Sequence, residues 1–141
     1  TLSLAAAIAV IDKLKRDKVI KLLWEKGSYL SEEVTRRIKK NGLSDIIKLS
    51  GKAPWKILNF YNYKDIEGAL VKTYYMVEML KHGVLTIGTH NICYALNDVD
   101  LKHILNAYDK TLMSISKALA TGKIKESLPC PIIRPVFNVR K

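Results

Sequence analysis

The chain has 141 residues, of which 48% are hydrophobic and 26% charged, and this composition excludes a disordered or fibrous protein. The length suits one domain with a real core and is too short for two. No apolar run approaches the roughly 20 residues that cross a bilayer, so we expect no membrane contact and a cytoplasmic protein. The two cysteines, Cys93 and Cys130, have no partner motif, which favours idle thiols over a disulfide.

The formal net charge of +11 is the one unusual feature of the composition. A lysine-rich solvated surface explains it most simply, because the charges are dispersed. A basic surface can also bind nucleic acid or another anion, and the charge would equally be explained if an acidic half of the protein lay outside this chain. Three histidines without a nearby carboxylate or thiol cluster predict no metal site.

The first segment, Leu2 to about Arg16, contains no proline or glycine and predicts a helix. Its residues from Leu4 to Ile11 are apolar on every side of that helix, whereas a surface helix shows one apolar stripe. We therefore expect a helix at residues 1–16 that lies between two bodies of protein, one of them upstream of this chain.

A second helix is expected after Asp17, which we interpret as its N-cap. Its apolar face comprises Val19, Leu22, Leu23, Leu30, Val34 and Ile38. Gly27 falls on this face and predicts a close approach by a neighbouring segment. Asn41 and Gly42 predict a left-handed helix end.

Two strands that form a hairpin are predicted next, around the turn Ser50 to Pro54. The apolar residues of the strands are Ile46, Ile47 and Leu49, then Trp55, Ile57, Leu58 and Phe60.

A third helix is expected from about Asp65 to His82. Its predicted inner side is Ala69, Leu70, Thr73, Tyr74, Val77 and Leu80. Residues 84–86 and 92–94 are strand candidates separated by the loop 87–91.

The fourth helix is predicted to begin at Asn97, with Asp100 completing a capping box, and to end at Gly122. Its face comprises Leu101, Ile104, Leu105, Tyr108, Leu112 and Ile115. The pattern as a whole predicts an α+β fold, a two-layer sandwich with a small antiparallel sheet covered by helices. We expect one domain over residues 1–128 and an extended tail over 129–141. Trp24 and Trp55 are expected to fill the interface between sheet and helices.

Several segments resemble the class III pyridoxal-phosphate-dependent aminotransferases. The opening TLSLAAA at 1–7 resembles the helix that follows the cofactor lysine in that family. The segment EMLKHGVLT at 78–86 resembles its "EMLKRGVL" element, and THNICYA at 89–95 followed by NDVD at 97–100 resembles "THNISYAHTDEDI". Within that family, this chain most resembles glutamate-1-semialdehyde aminomutase, although Leu96 stands where the family commonly has histidine.

The resemblance implies a C-terminal small domain that covers the active site and helps to shape the substrate pocket. It implies pyridoxal 5'-phosphate held mainly by a separate large domain, a homodimer, and a small-molecule amino donor and acceptor. No lysine here is followed by a glycine-rich phosphate turn, so we expect no catalytic residues in this chain and no activity from it alone. The substrate is not predicted.

His90 and Asn91 are the candidates for the substrate pocket, because they lie in a loop with glycine and threonine, where functional side chains usually sit. The alternative is that both bond to local backbone. His82 is expected to be a helix-end cation and His103 a solvated side chain.

The rival function is a basic module that binds nucleic acid or anions without catalysis. Its stripe would be Lys15, Lys18, Lys21, Arg36, Arg37, Lys39 and Lys40. Nucleic acid remains the less favoured partner, because no aromatic residues interleave with the stripe. A fragment without a role of its own is a third possibility.

Overall fold

The computed structural model of the chain describes residues 1–134, and that part contains four helices and three short strands. The elements are α1 (Leu2–Arg16), α2 (Val19–Lys40), β1 (Ile47–Lys52), β2 (Trp55–Phe60), α3 (Gly68–Lys81), β3 (Thr89–Asn91) and α4 (Asp98–Ala120). None of these helices is long and apolar enough to cross a membrane.

The three strands form one antiparallel sheet in the order β1-β2-β3. β1 and β2 form the predicted hairpin, in which Leu49 pairs with Leu58 and Lys52 with Trp55. The connection is therefore the two residues Ala53 and Pro54, shorter than the turn predicted from sequence. β3 adds to the other side of β2, where Trp55 pairs with Asn91.

The core lies where α2 and α3 cover the sheet and α4 packs against both helices. Val34, Val71 and Leu112 have no exposed surface, and β1 and β2 contribute Ile47 and Leu58. Helices α2, α3 and α4 each turn apolar residues to this one cluster, which is the burial that an amphipathic helix needs. The predicted α+β fold, with a small antiparallel sheet covered by helices, is confirmed.

Gly27 makes the close approach that its position predicted. A Cβ atom there would lie 2.1 Å from the carbonyl oxygen of Ala53, so α2 contacts the hairpin turn backbone to backbone. Two predicted helix boundaries are also confirmed. One is the end of α2 before Gly42, which has φ +69°, and the other is the start of α4 at Asn97. The Asn97 side chain accepts hydrogen bonds from the backbone of Val99 and Asp100, which completes the capping box.

Asp17 is not the N-cap of α2, contrary to the prediction. It ends α1, and its carboxylate accepts hydrogen bonds from Lys13 at 3.0 Å and Arg16 at 2.8 Å. These partners in the last turn of α1 engage the oxygens that would have capped α2. Lys18 occupies the cap position instead, with a left-handed backbone at φ 49°.

Helix α3 begins three residues after the predicted start, because Asn62 Oδ1 accepts the backbone hydrogen bond of Gly68 and Glu67 is extended. Its buried face is broader than the predicted one, because Leu70, Thr73 and Tyr74 are buried as predicted and further residues are buried beside them. Leu80 is 59% exposed, whereas Val71, Tyr75 and Met79 are buried. The apolar residues of α3 surround most of the helix, so periodicity alone did not fix the inner side.

The two strands predicted at 84–86 and 92–94 are wrong, and the real strand β3 lies in the predicted loop between them. Gly88, at φ +91°, turns the chain toward β2, and its carbonyl accepts a hydrogen bond from Leu58. Thr89 and His90 then pair with Ile57 and Lys56. The pairing is long-range, and so the local apolar pattern pointed to the wrong residues.

Trp24 and Trp55 are 46% and 62% exposed, so the prediction that they fill the interface between sheet and helices is wrong. Helix α1 has no buried residue, and Leu2, Leu4 and Ile8 are 84%, 70% and 61% exposed. A helix apolar around its circumference thus lies uncovered in this chain. Its expected position between two bodies of protein stays a prediction.

The start of the tail contacts the domain. The backbone N–H of Ile133 donates to Thr73 Oγ1 at 2.9 Å, and Arg134 forms an ion pair with Glu67 at 2.7 Å. Residues 135–141, the rest of the predicted tail, lie outside the described residues. Cys93 and Cys130 are both exposed free thiols.

Candidate functional site

A cavity of about 380 Å³ lies beside β3, between helices α2, α3 and α4 and the segment that connects α3 to β3. Apolar side chains form most of its wall. Its polar residues are His90, Asn91, Tyr75, Thr86, Thr89 and Tyr108. The wall comprises Leu30, Tyr75, Met79, Val84, Leu85, Thr86, Ile87, Thr89, His90, Asn91, Ile92, Leu96, Ile104 and Tyr108. Both candidate residues, His90 and Asn91, therefore lie at the same cavity.

His90 is a buried residue of β3, with 7% of its surface exposed, and not the solvated loop residue expected. Its Nε2 lies 2.6 Å from the hydroxyl of Tyr108, and the two rings meet edge to face. Its Nδ1 is buried and has no hydrogen-bond partner within residues 1–134. The alternative interpretation, a ring bonded to local backbone, does not describe these contacts.

A chain of hydrogen bonds continues from His90 into the core. The hydroxyl of Tyr108 lies 2.8 Å from that of Tyr75, so the chain joins β3, α4 and α3. Burial lowers the pKa of His90 to about 4 and raises the pKa of Tyr75 to about 12. Burial also raises the pKa of Tyr108 well above its ordinary value. All three groups are consequently neutral near pH 7.

Asn91 follows His90 on the strand, and alternate residues of a strand point to opposite faces. Accordingly Asn91 is exposed while His90 is buried. It is among the residues that line the cavity, and it pairs with Trp55 of β2, whose side chain is also exposed. The amide of Asn91 can therefore donate to or accept from a molecule at the surface, whereas His90 acts from inside.

The other two histidines lie away from this cavity. His82 lies at the end of α3, where it was predicted, and His103 is exposed on α4, as predicted.

In the basic stripe defined from the sequence, three members lie near carboxylates. Lys21 lies 3.6 Å from Glu25, and both Arg36 and Arg37 pair with Glu33.

The sequence did not single out Tyr75 and Tyr108 as parts of a site. Tyr108 lies on the predicted inner face of α4, but Tyr75 was missed because the buried face of α3 is broader than the predicted one. Two tyrosines on facing helices give no sequence signal that they will meet. Only the packing of α3 against α4 brings their hydroxyls together.

A pyridoxal-phosphate lysine needs a buried position that depresses its pKa. Among residues 1–134, no lysine is buried and none lines the cavity. Lys26 contacts one residue of the wall, since its Nζ donates to the carbonyl of Leu96. The residues present thus do not fit the covalent attachment of that cofactor, although they can form part of a wall around it or its substrate.

The fold and this cavity define an α+β domain of the kind found in a pyridoxal-phosphate enzyme. The solved structure of the pyridoxal-phosphate internal aldimine form of the FumI protein from Sphingopyxis sp. MTA144 superimposes with a TM-score of 0.70. That match covers 83% of this chain and 28% of the FumI chain, at 22% sequence identity. At this identity the likeness shows the fold alone.

A sequence relative points to the same class of enzyme. The chain is 29% identical over 121 residues to 3-aminobutyryl-CoA aminotransferase of Cloacimonas acidaminovorans (strain Evry), a match that covers 82% of this chain. It covers 28% of that relative, so the chain spans little more than a quarter of the proteins that it matches. No protein-family model matches the chain. The resemblance to pyridoxal-phosphate-dependent aminotransferases is thus confirmed.

Proposed function

We propose that this chain is the C-terminal small domain of a pyridoxal-phosphate-dependent aminotransferase or aminomutase, similar to glutamate-1-semialdehyde aminomutase, and forms part of its substrate pocket. The observation that carries the proposal is the match of 82% of this chain to an aminotransferase about three times longer. When bound, pyridoxal phosphate supplies the electron sink through which an amino group is moved. Its lysine and phosphate site belong to the large domain.

In this proposal the segment from Val84 to Ile92 is the wall that faces the substrate. It combines a left-handed turn at Gly88, exposed apolar side chains at Leu85 and Ile87, and the exposed amide of Asn91. Asn91 orients the substrate by a hydrogen bond at the cavity mouth. Helix α3 and the turn at Gly83 hold the segment in place, since the N–H of Val84 donates to the carbonyl of Met79.

Helix α1 is the proposed contact with the large domain. Its exposed apolar residues need a cover, and burying such side chains stabilises an interface by about 25 cal/mol per Å². The basic surface of this domain would then be balanced by the rest of the enzyme, which acts as a cytoplasmic homodimer with a small-molecule amino donor and acceptor.

The test of the enzyme assignment compares two proteins in a transamination assay with pyridoxal phosphate. The 141-residue chain should show no turnover, because none of its described lysines is buried. A longer gene product that includes the upstream domain should be active. Turnover by the 141-residue chain, or an inactive longer protein that binds the cofactor, would contradict the proposal.

The role of Asn91 is tested in the longer, active protein. Asn91→Ala should lower kcat/KM by about tenfold, the loss of one hydrogen bond to substrate of about 1.4 kcal/mol. Asn106→Ala is the matched control, because Asn106 is an exposed asparagine on α4 and does not line the cavity. Equal kcat/KM for both variants would remove Asn91 from the pocket.

A further inference from the structure

One face of the three-stranded sheet is left bare. Helices α2 and α3 cover the face that holds Ile47, Leu58 and His90, which are buried. Side chains alternate between the two faces of a strand, so the neighbours of these residues in sequence point away from the helices. This open face is formed by Lys48, Ser50 and Lys52 of β1, Trp55, Ile57 and Asn59 of β2, and Thr89 and Asn91 of β3.

The centre of the open face is apolar and its sides are polar. In the central strand, Trp55 lies between Lys52 and Asn91, and Ile57 lies in the next row between a serine and a threonine. Trp55 is 62% exposed and Ile57 is 39% exposed. A solvated sheet face carries polar residues at such positions. An apolar centre inside a polar rim is instead the composition of a protein–protein interface.

The open face carries positive charge and no negative charge. Among the described residues that form it, none is an aspartate or glutamate. Its two lysines form no ion pair with a carboxylate of residues 1–134, and Nζ of Lys48 lies 5.4 Å from the ring centre of Tyr61. A surface that fits this face therefore presents carboxylates opposite Lys48 and Lys52 and apolar side chains opposite Trp55 and Ile57.

The open face continues into the uncovered helix α1 at one end of the sheet. The backbone N–H of Ile92, directly after β3, donates to the carbonyl of Pro54, which precedes Trp55. Two residues further along, Tyr94 is 42% exposed, and its hydroxyl donates to the Asp17 carboxylate at the end of α1. One body of protein can therefore cover both the apolar side chains of α1 and the open face.

We infer that the open face is a second docking surface for the large domain of the same polypeptide, and that the contacting surface of that domain is apolar at its centre and acidic opposite Lys48 and Lys52. The length of the matched proteins favours this occupant, since the chain spans 28% of each of the two that it matches. The inference rests on the proposed function, and it names, beside α1, the second surface that meets the large domain.

Two other occupants fit the open face less well. A second copy of the chain would present the same surface, which offers no carboxylate to the lysines. A single-stranded nucleic acid stacks its successive bases on successive aromatic rings, whereas the residue next to Trp55 on this face is Ile57.

The test compares the thiol reactivity of Ser50→Cys in the 141-residue chain and in the longer gene product. Ser50 is exposed on the open face, where it pairs with Ile57, and the change replaces one oxygen by sulfur. Modification by iodoacetamide is followed over time by peptide mass spectrometry, which separates the new thiol from Cys93 and Cys130. The rate should fall at least about tenfold in the longer protein, because the reagent reaches a covered thiol only through local opening.

Two matched controls accompany this measurement. Asn106→Cys should react at the same rate in both proteins, because Asn106 is exposed on α4, which packs against α2 and α3. Added to Ser50→Cys, Lys52→Glu should reduce the protection at least about fivefold by repelling the acidic partner surface, whereas Lys102→Glu on α4 should leave it unchanged. Protection is the ratio of the rates in the two proteins, so a direct effect of the new charge on the thiol cancels.

Equal rates for Ser50→Cys in the two proteins would overturn the inference. Protection that rises with protein concentration in either protein would identify a second copy as the occupant, and protection of the 141-residue chain by a single-stranded oligothymidylate would identify a nucleic-acid surface. Either result would overturn it as well. Unchanged protection in Lys52→Glu would contradict the acidic partner surface.

The inference and the proposed function fail separately. A longer protein that transaminates while Ser50→Cys stays fully reactive keeps the function and loses this docking surface. A longer protein that protects Ser50→Cys but does not transaminate keeps the docking surface and loses the function.

Discussion

Replacement of His90 should remove a pH dependence of stability that this one buried ring creates. Burial lowers its pKa from 6.5 to about 4, because the charged form loses its hydration in the core. The unfolded chain consequently binds more protons than the folded chain between these two values. Stability is fully present above pH 6.5, falls as the pH falls through this window, and levels off below pH 4.

The magnitude follows from the two pKa values. Between pH 7.5 and pH 5, the proton taken up by the unfolded chain lowers the free energy of unfolding by about 2 kcal/mol. Over the whole window the loss approaches about 3 kcal/mol, a large part of the 5–15 kcal/mol typical of a domain.

The assay is urea unfolding of the native chain, His90→Gln and His103→Gln at several pH values from 7.5 to 4.5. His90→Gln lowers stability at every pH through altered packing, so the quantity compared is the slope against pH. All other titrating groups are common to the variants and cancel in the difference. His90→Gln should lose about 2 kcal/mol less than the native chain between pH 7.5 and pH 5.

His103→Gln should keep the native slope, because its ring is exposed on α4. If His90→Gln retains the native slope while His103→Gln flattens it, the reasoning about burial is wrong. Equal slopes in all three proteins would show that His90 keeps its hydration in the folded state, and the described packing around Tyr108 would then be wrong.

Three further changes test the packing. Gly27→Ala should lower the free energy of unfolding by about 1–3 kcal/mol in urea titrations, because the new methyl group meets the Ala53 carbonyl. At an unhindered helical glycine, the same change would raise the free energy of unfolding by about 1 kcal/mol. A more stable Gly27→Ala would refute that contact. Asn97→Ala should cost about 1 kcal/mol through loss of the capping box. The control Asn106→Ala, inside the same helix, should instead raise stability by up to about 0.7 kcal/mol, because alanine has the higher helix propensity. Ile8→Lys on the uncovered helix α1 should reduce both self-association in light scattering and binding of a hydrophobic dye. No change in either measurement would mean that α1 is covered in solution.

The helix boundaries at Gly42 and Asn97 were predictable because their signals are local. Asn97 with Asp100 begins α4, and Gly42 follows the end of α2, and both act through the backbone of their own turn. The absence of glycine and proline up to Arg16 likewise gave α1 its full length. These signals can be read without knowledge of distant residues.

The third strand was not predictable in the same way. The segments at 84–86 and 92–94 are apolar enough for strands, yet the polar residues from Thr89 to Asn91 pair with β2. The backbone turn at Gly88 decides which residues reach the ladder, and that turn depends on where the hairpin already lies. His90 was chosen as a loop residue and is a buried strand residue, so its place at the cavity was anticipated for the wrong structural reason.

Net charge and site chemistry are separate properties in this molecule. The formal charge of +11 favours anionic partners when the chain is taken as a whole, but a cation contributes to recognition only where it reaches the ligand. Arg36 and Arg37 are engaged with Glu33, and Lys26 with backbone carbonyls, while the cavity beside β3 has no charged lining. The dispersed basic residues therefore bear on how the whole domain meets a partner, and not on the lining of that cavity.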